Sequence, residues 1–200
     1  MSPIAEQPIQ HFETFLAAPL WLSLFQHIYN LGNNTFIRKT ILEVSYNSGE
    51  PSHIGGALSL AEIIAVIYSN FNIKVSKPLD RFVLSKGHGA PALFQVLAEK
   101  GFFNKKLLDD FGKSGSFFHE HPPKPGYIAG IEAATGSLGH GLPMALGMAL
   151  AERIQKLEYR TYAMLSDGEC NEGSIWEAAM LASAQKLDKL TVIIDYNKWQ

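Results

Sequence analysis

Acidic and amide side chains follow two predicted strands near the carboxyl end of the 200-residue chain. Asp167 and Gly168 come directly after the apolar run 161–166, and Asn197 follows the run 190–194. Glycine lets a ligand approach the backbone, whose amide can donate to an anionic oxygen. One charged and one neutral oxygen ligand suit Mg²⁺, with Ca²⁺ or Mn²⁺ as alternatives, better than Zn²⁺. Because Mg²⁺ commonly completes its shell with phosphate oxygens, the pattern predicts a metal and diphosphate site. An isolated Asp-Gly pair is more often a simple turn, and it is the position of Asn197 that favours the site.

His88 is a second candidate, because it lies between Gly87 and Gly89 directly after the apolar run 81–85. With a glycine on each side, the His88 side chain is poorly placed to pack in the core, so contact with a ligand is the favoured interpretation. An imidazole whose pKa is near neutral suits donation to substrate oxygens and proton relay.

The elements that must position these residues alternate between strands and helices. Apolar spacing predicts a helix around 37–44 that ends at the turn signal 47–51, and a second helix carrying Leu60, Ile64 and Phe71. Ser59 and Glu62 form a predicted capping box for that second helix. The runs 81–85, 161–166 and 190–194 are predicted strands, the last buried on both faces, and helices follow the first two. This order predicts an α/β fold with a doubly wound, mostly parallel sheet, whose ligands bind at the carboxyl ends of the strands.

Composition excludes several function classes. Hydrophobic residues make up 46% of the chain and charged residues 18%, and the net charge of −2 offers no basic face for nucleic acid or an anionic membrane. The single cysteine, Cys170, excludes an intrachain disulfide and fits a reducing cytoplasm; no catalytic base is paired with it. The Gly-, Pro- and His-rich stretch 111–135 is a long predicted loop, and loops of this length are usually functional or disordered.

Five motifs in order closely resemble transketolases, enzymes that depend on thiamine diphosphate. The clearest are residues 167–179 (DGECNEGSIWEAA) followed by 194–198 (IDYNK), 81–89 (RFVLSKGHG) and 135–139 (TGSLG). Ser166 departs from the family pattern, which has Gly there, but a small side chain is tolerable. The resemblance covers about residues 34–200 and implies the diphosphate domain of the thiamine-diphosphate-binding fold, C-terminally incomplete. Residues 1–33 are expected to form an N-terminal helical extension.

The resemblance also implies a role for individual residues. Asp167 and Asn197 would ligate the metal through their side chains, and Trp199 through its backbone carbonyl. Gly168 and His88 would hold the diphosphate, with Glu169 beside them as a further cofactor-binding residue. The remaining implied contacts are Gly136 and Leu138 against the cofactor rings, and Glu172 and Glu177 at a subunit interface.

Two further histidines are implied by the same resemblance. His53 matches the position of a family histidine in substrate binding and proton transfer, although Pro51 and Ile54 depart from that pattern. His121 is the better match for another family histidine, with His119 as a near rival. A solvated loop histidine is the alternative reading of both.

The implied function is transfer of a two-carbon ketol unit from a ketose phosphate to an aldose. The glutamate that activates the cofactor lies, in the family, on a pyrimidine-binding domain that nothing in this chain matches. We therefore expect a C-terminal partner subunit that supplies that domain, a homodimer or heterotetramer, and negligible activity of the chain alone. The alternatives are a 2-oxo acid dehydrogenase or phosphoketolase type of component, or a non-catalytic partner subunit. The sugar, a pentose phosphate or a more specialised one, stays open.

Overall fold

The computed structural model describes residues 34–71, 73–74 and 80–198. The predicted N-terminal extension therefore lies outside the described residues. The described part begins with helices α1 (Asn34–Ser48) and α2 (Ile54–Asn70). Strand β1 (Arg81–Leu84) and helix α3 (Ala90–Glu99) follow, then a long loop and helix α4 (Gly141–Gln155). Strand β2 (Thr161–Ser166), helix α5 (Gly173–Ala184) and strand β3 (Leu190–Asp195) complete it. No helix among these residues is long and apolar enough to cross a bilayer.

The sheet confirms the predicted topology. Its order is β1-β2-β3, and both pairs are parallel, with Phe82 opposite Tyr162 and Met164 opposite Ile193. All three strands therefore end at the same edge, and β2 lies in the middle. The loops that follow the strands carry His88, Asp167, Gly168 and Asn197, as the carboxyl-end rule for parallel sheets requires.

Apolar side chains from both faces of the sheet confirm the doubly wound arrangement. Phe82, Leu84 and Met164 pack with the buried faces of α1, α2 and α3. The alternate positions Val83 and Leu165 pack with α4 and α5 on the opposite face. Side chains alternate between the two faces of a strand, so both layers can be packed by the same short strands.

Two local predictions are wrong. Helix α2 begins at Ile54 and not near Ser59, so Ser59 and Glu62 lie inside the helix and form no capping box. Their side chains make long-range contacts instead, with Asp195 and Arg38 respectively. Strand β3 is only partly buried, and Ile194 is 41% exposed. Among the described residues β3 pairs with β2 alone.

The stretch 111–135 contains no regular helix or strand, as predicted, and neither do residues 136–140. This loop 111–140 is nevertheless well packed. Phe111, Phe118, Ile128 and Ile131 insert into the core beside α3. This packing fixes the part of the loop that carries His121.

Candidate cofactor site

The two predicted oxygen ligands lie on neighbouring strand ends. Asp167 follows β2, and its Oδ1 accepts a hydrogen bond from the Gly168 amide at 3.2 Å. Its Oδ2 accepts from the backbone N–H of Lys198 at 2.7 Å. The loop that contains Asn197 is thus held directly against Asp167. Trp199, the predicted backbone ligand, lies outside the described residues.

Glu169 differs from the expectation of direct cofactor contact. Its side chain is 0% exposed. Oε1 accepts from Ser85 Oγ at 2.5 Å and from the Gly139 amide at 3.1 Å, and Oε2 accepts from the Ser166 amide at 2.9 Å. Because both oxygens face protein donors in the interior, the carboxylate connects the loop after β1, the end of β2 and the loop 136–139. Its geometry is that of a residue that positions the loops around a ligand.

Three histidines from separate parts of the chain form one cluster. His53 immediately precedes α2, His88 lies in the short turn Gly87–Gly89, and His121 lies in the long loop. The ring centroid of His53 is 5.6 Å from that of His88 and 5.9 Å from that of His121. His119 points elsewhere, with its Nε2 2.8 Å from the carbonyl oxygen of Ser116. The structure therefore brings His121, and not His119, to the cluster.

The cluster favours neutral imidazoles. Burial lowers the pKa of His88 to about 4, assisted by the positive charge of Lys86 and by the other two histidines, while Asp195 opposes the shift. Burial also lowers the pKa of His121, again assisted by His53 and opposed by Glu120. Both rings are therefore neutral at pH 7 and can accept a proton as well as donate one. Burial, with Glu169 and Asp167, raises the pKa of the Cys170 thiol, in keeping with the predicted unreactive role.

A cleft of about 610 Å³ opens beside these groups, and His53, His88, Lys86 and Asn197 are among its lining residues. The loop 136–139 packs closely against His121 and against the loop after β1. A Cβ at Gly136 would lie 3.0 Å from Cδ2 of His121, and a Cβ at Gly87 would lie 2.6 Å from the amide nitrogen of Gly136. Only glycine at position 87 allows the loops to approach this closely. Leu138, the other predicted ring contact, is exposed.

The predicted interface residues lie on one exposed face. Glu172 precedes α5 and Glu177 lies on it, and both are exposed. Trp176 (57% exposed) and Met180 (65% exposed) lie on the same helix. The buried residues of α5 are Ile175 and Ala178. An apolar surface flanked by carboxylates is therefore available for contact with another chain.

Four side chains take part in the site although the sequence predicted no part in it for them. Lys86 and Ser59 line the cleft, and both contact the buried carboxylate of Asp195. Glu120 Oε2 accepts from the backbone N–H of His53 at 2.7 Å and so joins the loop of His121 to the start of α2. These contacts span 67 to 136 residues of sequence, which no local pattern reveals. Lys86 and Asp195 lie within the motifs 81–89 and 194–198, at the ends of apolar strands, but nothing in those motifs indicates that the two residues meet.

The donor set fits a metal-bound diphosphate. Asp167 supplies a carboxylate, the neighbouring loop supplies Asn197, and the Gly168 backbone is partly accessible. Across the described ranges no group of three or more His, Cys, Asp or Glu could hold a metal ion. A cation here would therefore depend on backbone, water and phosphate oxygens for the rest of its shell, as Mg²⁺ commonly does.

Comparison with known proteins identifies the family of this chain. The family model described as transketolase, thiamine diphosphate binding domain, matches residues 38–200. The chain belongs to this transketolase family. It is 42% identical over 168 residues to one of the subunits of an apulose-4-phosphate transketolase from Phocaeicola vulgatus, covering 82% of this chain and 59% of that relative. It is 44% identical over 169 residues to a 6-deoxy-6-sulfo-D-fructose transketolase subunit from a Clostridium species, covering 82% of this chain and 61% of that relative.

Solved transketolases share the fold as well. The transketolase from Leishmania mexicana superimposes with a TM-score of 0.70 at 29% identity, over 79% of this chain and 26% of that one. The domain therefore corresponds to part of a longer enzyme in that relative. The chain spans about 60% of the length of each of the two subunits named above.

Proposed function

We propose that this chain binds thiamine diphosphate together with Mg²⁺ and anchors the diphosphate in a two-part transketolase. The observation that carries the proposal is the contact between Asp167 and the Asn197 loop, through the Lys198 amide at 2.7 Å. It holds the loop that carries Asn197 against the Asp167 carboxylate, at the edge of the sheet where ligands of this fold class bind. Membership of the thiamine diphosphate binding family supports the identity of the ligand.

Each anchoring residue has a distinct task in the proposal. Asp167 and Asn197 hold the cation, and the Gly168 amide and His88 donate hydrogen bonds to the diphosphate. Gly136 and Leu138 contact the cofactor rings from the loop that Glu169 holds in place. Glu169 itself contributes through position, because its oxygens are occupied by Ser85, Gly139 and Ser166.

Thiamine diphosphate, when bound, supplies the nucleophilic carbon that accepts a two-carbon ketol unit from a ketose. The chain's own contribution to that chemistry is the histidine cluster. His53 lines the cleft, and the ring of His121 lies 5.9 Å from that of His53. Both are proposed to hydrogen-bond to substrate hydroxyls and to move protons on their imidazole nitrogens. The lowered pKa of His121 keeps its ring neutral at pH 7, which leaves one nitrogen free to accept a proton.

The partner is part of the proposal. The two relatives named above are called subunits, and this chain spans about 60% of each. A second subunit that carries the pyrimidine-binding domain would supply the activating glutamate, and the exposed face with Glu172, Trp176 and Glu177 is proposed as an interface in the resulting dimer or heterotetramer. A cytoplasmic location is proposed from the lone cysteine. The substrate is proposed to be a ketose phosphate or a related sugar, since the relatives' names contain both a phosphorylated and a sulfonated sugar.

A transfer assay tests the proposal. The chain is mixed with the pyrimidine-domain subunit of a two-part transketolase, thiamine diphosphate and Mg²⁺, and ketose phosphates are screened as donors with aldose acceptors. We expect transfer only when both subunits are present. Turnover by the chain alone would refute the need for a partner, and the same mixture acting on pyruvate but on no ketose would favour a 2-oxo acid type of enzyme. Phosphate-dependent formation of acetyl phosphate from the ketose would favour a phosphoketolase.

A further inference from the structure

A buried ion pair lies between the predicted diphosphate loop and the predicted metal loop. Lys86 Nζ is 2.5 Å from Asp195 Oδ2, and their side chains are 1% and 8% exposed. Ser59 Oγ lies 2.8 Å from Oδ1 and 2.6 Å from Oδ2 of the same carboxylate. Burying two charges costs much of what their attraction contributes, so stability alone is a weak reason for such a pair. Its location suggests another role.

The pair spans the middle of the sheet. Because β2 separates β1 from β3, the ends of those two strands are about 10 Å apart, twice the usual strand spacing. The long side chain of Lys86 crosses this distance and reaches the last residue of β3. Ser59 adds α2 to the same contact, and α2 also touches His88, since a Cβ at Gly56 would lie 2.7 Å from Cδ2 of that ring.

The ion pair therefore fixes one end of the loop that carries Asn197. Asp195 is two residues before Asn197, and Lys198, one residue after it, donates its amide hydrogen to Asp167. The chain is thus anchored on both sides of Asn197, at Asp195 and at Lys198. The positive charge of Lys86 is neutralised by Asp195, so Lys86 is less suited to bind a further anion.

We propose that Lys86 and Ser59 act through Asp195 as positioning residues, which set Asn197 beside Asp167 before any metal binds. We call the contact of Lys86 and Ser59 with Asp195 the brace. It positions the metal loop, and Lys86 is not a ligand of the diphosphate. This inference rests on the proposed function for the identity of the metal loop, but its structural part concerns the chain without any ligand.

Hydrogen exchange of the ligand-free chain tests the structural part. In Asp195→Asn, exchange of the Lys198 amide should accelerate at least tenfold, while the Met164 amide in the central strand reports any change in global stability. Glu152→Gln is the matched control, because Glu152 is also buried and ion-paired, with Lys189 Nζ at 2.6 Å near the start of β3. This control should leave the Lys198 amide no faster than the change at Met164 explains. Equal exchange of the Lys198 amide in Asp195→Asn and in the original chain would overturn the proposal.

Calorimetry with thiamine diphosphate and Mg²⁺ separates a brace from a ligand. A brace predicts at least tenfold weaker binding for Asp195→Asn, because the Asn197 loop loses its anchor on the strand side. If Lys86 were a diphosphate ligand, removing the negative charge of Asp195 would leave binding unchanged or stronger, which would contradict the proposal. Lys86→Met/Asp195→Asn, which contains no buried charge at this point, should fold and still bind weakly. If the original chain binds no thiamine diphosphate, the proposed function fails, whereas the exchange experiment still decides whether the brace exists.

Discussion

Replacing Glu169 should destabilise the chain in a graded way. The Glu169 carboxylate accepts hydrogen bonds from two buried amides, those of Gly139 and Ser166, and from the hydroxyl of Ser85. A buried N–H left without a partner costs about 1–3 kcal/mol. Glu169→Leu leaves both amides without an acceptor and should therefore lower the free energy of unfolding by about 2–6 kcal/mol. Glu169→Gln keeps one acceptor oxygen but places an NH₂ group against a donor, so it should lose about 1–3 kcal/mol.

Urea unfolding followed by circular dichroism measures both losses. The control is Glu158→Gln, because the Glu158 side chain is 89% exposed and its contact with Lys189 is a surface ion pair, worth about 0–1 kcal/mol. Glu169→Leu as stable as the original chain, or more stable, would refute the reasoning. That result would mean that burying the charge costs as much as its hydrogen bonds contribute.

Three further predictions follow from buried or linking groups. Both side-chain amide atoms of Gln95 are buried with no hydrogen-bond partner among the described residues, so Gln95→Met should raise the free energy of unfolding by about 1–3 kcal/mol. The control Gln155→Met, at an exposed position, should change it by less than about 0.5 kcal/mol. A less stable Gln95→Met variant would contradict the prediction. The pKa of His88 is about 4 in the folded chain against 6.5 unfolded, so the unfolded state binds more protons between those pH values and stability should fall as pH drops from 7 to 4. In His88→Asn, the loss of stability between pH 7 and pH 4 should be smaller by on the order of 1 kcal/mol, a value that allows for the partial exposure of the ring. Urea titrations at both pH values measure this difference. The same pH dependence of stability in the variant and the original chain would contradict the prediction. Glu120→Ala frees the His53 amide and should lower kcat of the assembled enzyme severalfold with the affinity for thiamine diphosphate unchanged; equal loss in both would place Glu120 at the cofactor.

The sequence was sufficient to predict the strands, their parallel orientation and the edge of the sheet where the site lies. Those features depend on short-range signals: β-branched runs, glycine loops directly after them, and helical spacing between them. The position of Asp167 beside the Asn197 loop followed from the topology, because neighbouring parallel strands end together.

Contacts between distant segments were beyond that reasoning. Ser59 looked like a helix cap because Ser is common there, but α2 starts five residues earlier, and the hydroxyl instead reaches Asp195, 136 residues away. Glu169 was expected to contact the cofactor beside Gly168, yet the tight turn after β2 directs its side chain inward. The choice between His119 and His121 depended on how the packed loop 111–140 is folded, which its irregular sequence does not indicate.

Binding of thiamine diphosphate to the purified chain, measured by calorimetry with and without Mg²⁺, tests the central proposal most directly. The predicted result is binding that requires Mg²⁺ and weakens at least tenfold, about 1.4 kcal/mol, in both Asp167→Asn and Asn197→Ala. Asp188→Asn, which alters an exposed carboxylate near the opposite end of β3, should bind like the original chain. If the affinity for thiamine diphosphate does not depend on Mg²⁺, or is unchanged in the Asp167 and Asn197 variants, the assignment of these two residues as the anchor is contradicted.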